Sequence, residues 1–99
     1  MSLLDEALDA CRRRGAKMPP PLAAWLIART LESELADQVP LGNALVDLLG
    51  GSGPPELEVI ITRMVHPDAK QRWPLPLTTL REALYGYAGA LGSQARLEG

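Results

Sequence analysis

Apolar residues in this chain return mostly every three or four positions, the spacing that gathers side chains on one face of a helix. The clearest instance lies in residues 54–72, PPELEVIITRMVHPDAKQR. Leu57, Ile60, Ile61, Met64 and Val65 share a face, and Glu56 and Glu58 sit where the positive end of a helix dipole favours negative charge. Pro67 cannot continue a helix and biases His66 away from helical geometry, so this element is expected over 55–65. Asp68 then reads as the N-cap of a short turn through Arg72.

The same spacing predicts four further helices. A first, over 4–14, carries Leu4, Ala7, Leu8 and Cys11 inward, has Asp5 and Glu6 in its first turn and ends at Gly15, with Ser2 as its cap. Pro19, Pro20 and Pro21 form a rigid lead-in to a second, over 21–37; a polyproline ligand is the other use of such a run. Leu22, Trp25, Leu26, Ile27, Ala28, Leu31 and Leu35 cover more than half of its circumference, so it is expected to be the central helix with Trp25 as a core anchor. Arg29, Glu32 and Ser33 mark its wet strip, with an Arg29–Glu32 pair at i, i+3. Val39-Pro40 is read as a break, followed by a short helix over 42–49 that ends at Gly50. The last helix, over 77–91, follows an extended strap from Trp73 to Pro76 that is expected to lay Trp73 and Leu75 over the core.

Within 77–91, Leu77, Leu80, Leu84, Tyr87 and Leu91 form a seam of coiled-coil spacing. Beside it run Ala83, Gly86, Gly89 and Gly92, and each glycine costs a helix about 1 kcal/mol against alanine. That cost implies close approach of another backbone, in the core or across a dimer interface, and makes Tyr85, Gly86, Gly89 and Gly92 the candidate interface. The fold class expected is thus all-α, a single domain of about five helices.

Residues 55–63, 68–72 and 80–84 resemble the C-terminal helical region of bacterial Ser/Thr protein kinase domains. There a P-x-E-L-x-x-I-I-x-R helix precedes a D-x-x-x-R turn, and an amphipathic helix near L-R-E-A-L closes the lobe. Residues 4–14 and 18–35 are similar to the two helices ahead of a kinase's catalytic loop. The resemblance implies a C-lobe scaffold with Asp68 and Arg72 as structural residues. It also implies no catalysis: the Gly-rich loop, strand lysine, H-R-D-x-x-x-x-N loop and D-F-G site of phosphoryl transfer are missing. The one histidine, His66, precedes a proline, and the chain has no phenylalanine. In the family the arginine at the place of Arg72 pairs with a glutamate of the activation segment. Here the expected alternatives are Asp68, Asp47 or solvent.

Composition adds bounds rather than chemistry. With 99 residues, 46% of them hydrophobic and 22% charged, the chain reads as one ordinary globular domain. No run is long and apolar enough to span a bilayer, and the lone Cys11 suits a reducing cytoplasm. The arginine-rich, Ala-, Gly-, Leu- and Pro-rich composition hints at a GC-rich bacterial genome. Residues 1–3 and 98–99 read as vector-derived ends, which would make the chain a domain of a longer polypeptide.

Other candidate sites are weak. Arg12, Arg13, Arg14 and Lys17 lie at the negative end of the first helix, where they either compensate its dipole or form a small anion or acidic-partner patch. The net charge of −2 gives nucleic acid no general attraction. Gly50-Gly51-Ser52-Gly53 lacks the lysine and preceding strand of a phosphate loop, and His66 has no companion ligands for a metal, so it is read as a helix-end residue bonding the last carbonyls. No nucleophile, paired carboxylates or cofactor motif stands out. The reading is therefore a non-catalytic, cytoplasmic helical domain that uses no cofactor, metal or nucleotide and docks a protein partner or a second copy of itself. A regulatory domain of a larger signalling enzyme is the alternative, and nucleic-acid binding through the arginine cluster a distant third.

Overall fold

The computed structural model describes residues 3–15, 17–32 and 37–98, with the side chains of residue 3 and of residues 90–98 excepted. The chain is all-α: helices α1 (Leu3–Arg14), α2 (Pro20–Thr30), α3 (Gln38–Leu49), α4 (Pro55–Met64) and α5 (Thr78–Glu98), with a single 3-10 turn, Ala69–Gln71, between the last two. No strand occurs among the described residues.

Most of the helix ends have a local reason. α1 has its acids in the first turn and its arginines in the last, and Gly15 beyond it takes φ +63°, a conformation other residues resist. α2 and α4 both open on prolines, whose missing N–H is no loss in a first turn. α3 is capped by Asp37, whose carboxylate accepts from the Val39 N–H at 3.3 Å, and it ends at Gly50, left-handed at φ 76°. Asp68 caps the 3-10 turn through the Lys70 N–H at 3.0 Å, as the sequence suggested.

Helix α3 begins earlier than the sequence suggested. Pro40 does not break the chain; it occupies the first turn of α3, where the N–H groups have no intrahelical partner and a proline removes nothing. Asp37 consequently caps α3 instead of closing α2. α2 ends at Thr30, with Leu31 as its C-cap, and the expected continuation through 33–36, Leu35 included, lies outside the described residues. So do the Ser2 cap, the side chain of Leu91 and the surroundings of Gly92.

The core lies where α2 runs along α5, the most extensive pairing in the fold, with α3 and α4 closing one side and α1 resting on α2 and α3. Ile27, Leu45, Leu48, Leu57, Met64, Leu80 and Leu84 are fully buried, each such side chain contributing about 1.5–3 kcal/mol. The buried face of α2 is Ala23, Ala24, Leu26, Ile27 and Ala28. Trp25 and Leu22 are not core residues, at 41% and 49% exposed. They lie on the strip shared with Arg29 and Glu32, while three short alanines, with Leu26 and Ile27, take the buried face. α3 crosses α4 at Gly42, where a Cβ would fall 2.6 Å from Val65 Cγ1.

Candidate docking groove

A concavity forms where the N-terminus of α3, the C-terminal turn of α4 and residues 69–77 meet. Its floor is set by one buried polar side chain. Gln38, in the first turn of α3, is 7% exposed and donates Nε2–H to the Trp73 carbonyl at 3.0 Å, while its Oε1 accepts the Trp73 N–H at 2.9 Å. One amide thus pairs both main-chain groups of a residue 35 positions away, as a neighbouring strand would. The indole N–H of Trp73 donates to the Ile60 carbonyl of α4 at 3.2 Å, and the Arg63 guanidinium lies over its ring at 4.3 Å. Arg63 Nε also donates to the Gln71 carbonyl at 3.3 Å.

The turn beneath is tied to itself. Arg72 donates from Nε to the His66 carbonyl and from Nη2 to the Pro67 carbonyl. It therefore pairs with neither Asp68 nor Asp47 and is not left to solvent, the three alternatives drawn from the sequence; the carbonyls of the turn after α4 take the guanidinium instead. His66 sits at the helix end as expected, its main-chain N–H donating to the Arg63 carbonyl of the last turn of α4 at 3.4 Å, while its imidazole Nδ1 turns the other way and accepts the Asp68 N–H at 3.0 Å. Among the described residues no buried side-chain nitrogen or oxygen is left unbonded.

What results is an open groove of about 720 Å³ with Trp73 and Leu77 as its apolar wall and Leu75, 81% exposed, on its lip. The sequence reading had laid both Trp73 and Leu75 over the core; of the two only Trp73 packs there, tied by its indole N–H and its main chain, and Leu75 stands exposed. Arg63, Lys70 and Arg72 line the same groove against a single carboxylate, Asp37. The ion pairs among described residues are elsewhere: Arg12–Asp47 at 3.1 Å, Arg13–Asp9 at 3.2 Å and Arg29–Glu32 at 3.6 Å.

These pairs bear on the other sequence candidates. In the cluster at the end of α1, Arg12 and Arg13 each face a carboxylate, and the stem of Lys17 packs on Gly50. Gly86 and Gly89 have open space where a Cβ would stand: no described atom beyond the helix's own backbone lies within 4 Å of it, so close packing among the described residues does not account for them. Tyr85 is half-buried and donates its hydroxyl to Glu32 at 2.9 Å. The glycine loop borders a smaller hollow of about 290 Å³, where the Glu58 carboxylate accepts the Gly53 N–H at 3.2 Å and so occupies the place of an incoming anion. No group of three metal-ligating side chains occurs among the described residues, and no described helix is long and apolar enough to cross a membrane.

The sequence reading missed Gln38, Arg63 and Lys70 as members of one site. Three cations at 63, 70 and 72 with only Asp68 between them were a usable signal. The Gln38–Trp73 link, which brings α3 to them, was not. No protein-family model matches the chain, nor does any curated protein or solved structure compared with it.

Proposed function

We propose that this chain is a non-catalytic helical interaction domain whose partner-facing surface is the groove between α3, α4 and the Trp73–Leu77 strap. The observation that carries the reading is the prearranged surface itself: a tryptophan fixed by three hydrogen bonds, an exposed leucine beside it, and cations that no carboxylate of the described chain neutralises. Rigid aromatic and arginine side chains beside an uncovered apolar one are what anchor protein interfaces. The resemblance of residues 55–84 to kinase C-lobe helices is compatible with this role in a signalling protein, as a scaffold without the catalytic segment.

Photo-crosslinking tests the reading. A photoreactive residue at Leu75 is expected to trap a discrete protein, identified by mass spectrometry and displaced by excess unlabelled domain. The same residue at Val59, 69% exposed on α4 and outside the groove, is expected to trap none. Equal labelling from both positions, or a saturable thermal shift with ATP and magnesium, would overturn it.

Self-association is the second reading, favoured by the open glycine face of α5. Sedimentation equilibrium that finds a monomer at every concentration removes it.

A further inference from the structure

We infer that the groove takes an acidic, extended peptide segment of a partner protein, anchored by an apolar side chain between Trp73 and Leu75. This rests on the docking reading above and names its occupant. Charge is the first argument. The chain is acidic overall, at −2, yet Arg63, Lys70 and Arg72 converge on one side of the molecule with only Asp37 among them. The Asp37 carboxylate is itself occupied with the Val39 N–H. Such a groove disfavours a groove-to-groove dimer, in which the cations would face one another, and draws an acidic segment from solution.

The shape of the strap is the second argument. Pro74 and Pro76 have no N–H, so the strap cannot pair regularly with an added strand, and side chains must supply the recognition. The lip residue Leu75 presents its side chain to solvent next to the Trp73 ring, a place that an incoming leucine or isoleucine would cover. The Arg63 guanidinium, its plane held by the Trp73 ring and its Nε by the Gln71 carbonyl, is prearranged for a carboxylate, which lowers the ordering cost of binding.

The test is a titration of the full chain with short blocked peptides, followed by isothermal calorimetry and by Trp73 fluorescence in a Trp25→Phe background. A peptide of Asp and Glu around a central Leu is expected to bind, and to weaken as salt rises. Its Lys counterpart is expected not to bind, and Leu→Ser in the peptide to weaken it about tenfold. Lys70→Glu, at an exposed position where circular dichroism is expected to show the fold unchanged, is expected to cost about fivefold or more. Equal binding of acidic and basic peptides, no binding of the acidic one, or tighter binding of a single-stranded oligonucleotide would overturn the inference. Should the acidic peptide fail while a crosslinker at Leu75 still traps a partner, the docking surface stands and the acidic occupant falls. If both fail, neither stands.

Discussion

Trp25 and Trp73 each have an arginine over the indole ring, at 5.7 Å and 4.3 Å, and the two sites behave as opposites. At Trp73 the partners come from far along the chain: Gln38 takes its backbone on both sides, Ile60 takes its N–H, and Arg63 covers its face from α4. At Trp25 they are local. Arg29 is one turn away on the same helix, held by Glu32 at 3.6 Å, and Glu32 in turn accepts from Tyr85. The first arrangement joins three elements and fixes a groove; the second decorates an exposed helix face. Burial and the distant main-chain groups committed to Trp73 separate the two tryptophans; the cation above the ring, which both have, does not.

Truncation should separate the two by the largest margin. Trp73→Ala is expected to cost about 3 kcal/mol, because it opens a cavity against α4 and leaves the Ile60 carbonyl without its indole partner. Trp25→Ala, at a side chain 41% exposed, is expected to cost about 1 kcal/mol or less. Urea unfolding followed by circular dichroism measures both. Equal losses would mean that the distant hydrogen bonds do not set the difference.

Two glycines carry the same contrast at a smaller scale. Gly42, on the α3 face that meets α4, would place a Cβ 2.6 Å from Val65 Cγ1 and 3.1 Å from Met64 Cβ, whereas Gly89 on α5 has nothing within reach. Gly42→Ala is therefore expected to destabilise by about 2 kcal/mol through overpacking. Gly89→Ala is expected to stabilise by up to about 1 kcal/mol through helix propensity. Melting temperatures give the signs, and the mass by light scattering is read alongside. A lower melting point for Gly89→Ala together with a fall in mass would show that a second copy covers the glycine face.

These glycines also mark how far the sequence could be read. The helix count, the α4 stripe, Gly15 and Gly50 as terminators and the Asp68 cap follow from local spacing and turn chemistry, and all are present. Pro40 and Gly42 misled because their meaning is tertiary: one is harmless only where Asp37 starts a helix, and the other is needed only where α4 crosses. Trp25 misled because periodicity reports a face without saying which neighbour fills it, and here Ala23, Ala24 and Ala28 do. Of the groove, the cations at 63, 70 and 72 were visible one by one; their meeting depends on a glutamine in another helix, and a single glutamine carries no pattern.

The smallest effect belongs to the exposed face, at the Tyr85–Glu32 bond. Burial, and next the bond to the Glu32 carboxylate, raise the Tyr85 phenol above its ordinary 10.0. Burial, and next the charge of Glu56, do the same for Tyr87. A raised acid pKa in the folded state means that the unfolded chain loses its proton first. The stabilisation is therefore complete below pH 10 and is lost as pH rises through the folded-state value. Tyr85→Phe is expected to cost about 0.5 kcal/mol at neutral pH, a small figure because water screens the pair, and to flatten part of the alkaline decline. Tyr87 keeps the remainder, so Tyr85→Phe with Tyr87→Phe should flatten it further. Unfolding free energy as a function of pH, with phenolate absorbance as the titration signal, reads both. An alkaline limb unchanged in the double variant would detach these phenols from the stability of α5, and would leave the α2–α5 surface held by apolar burial alone.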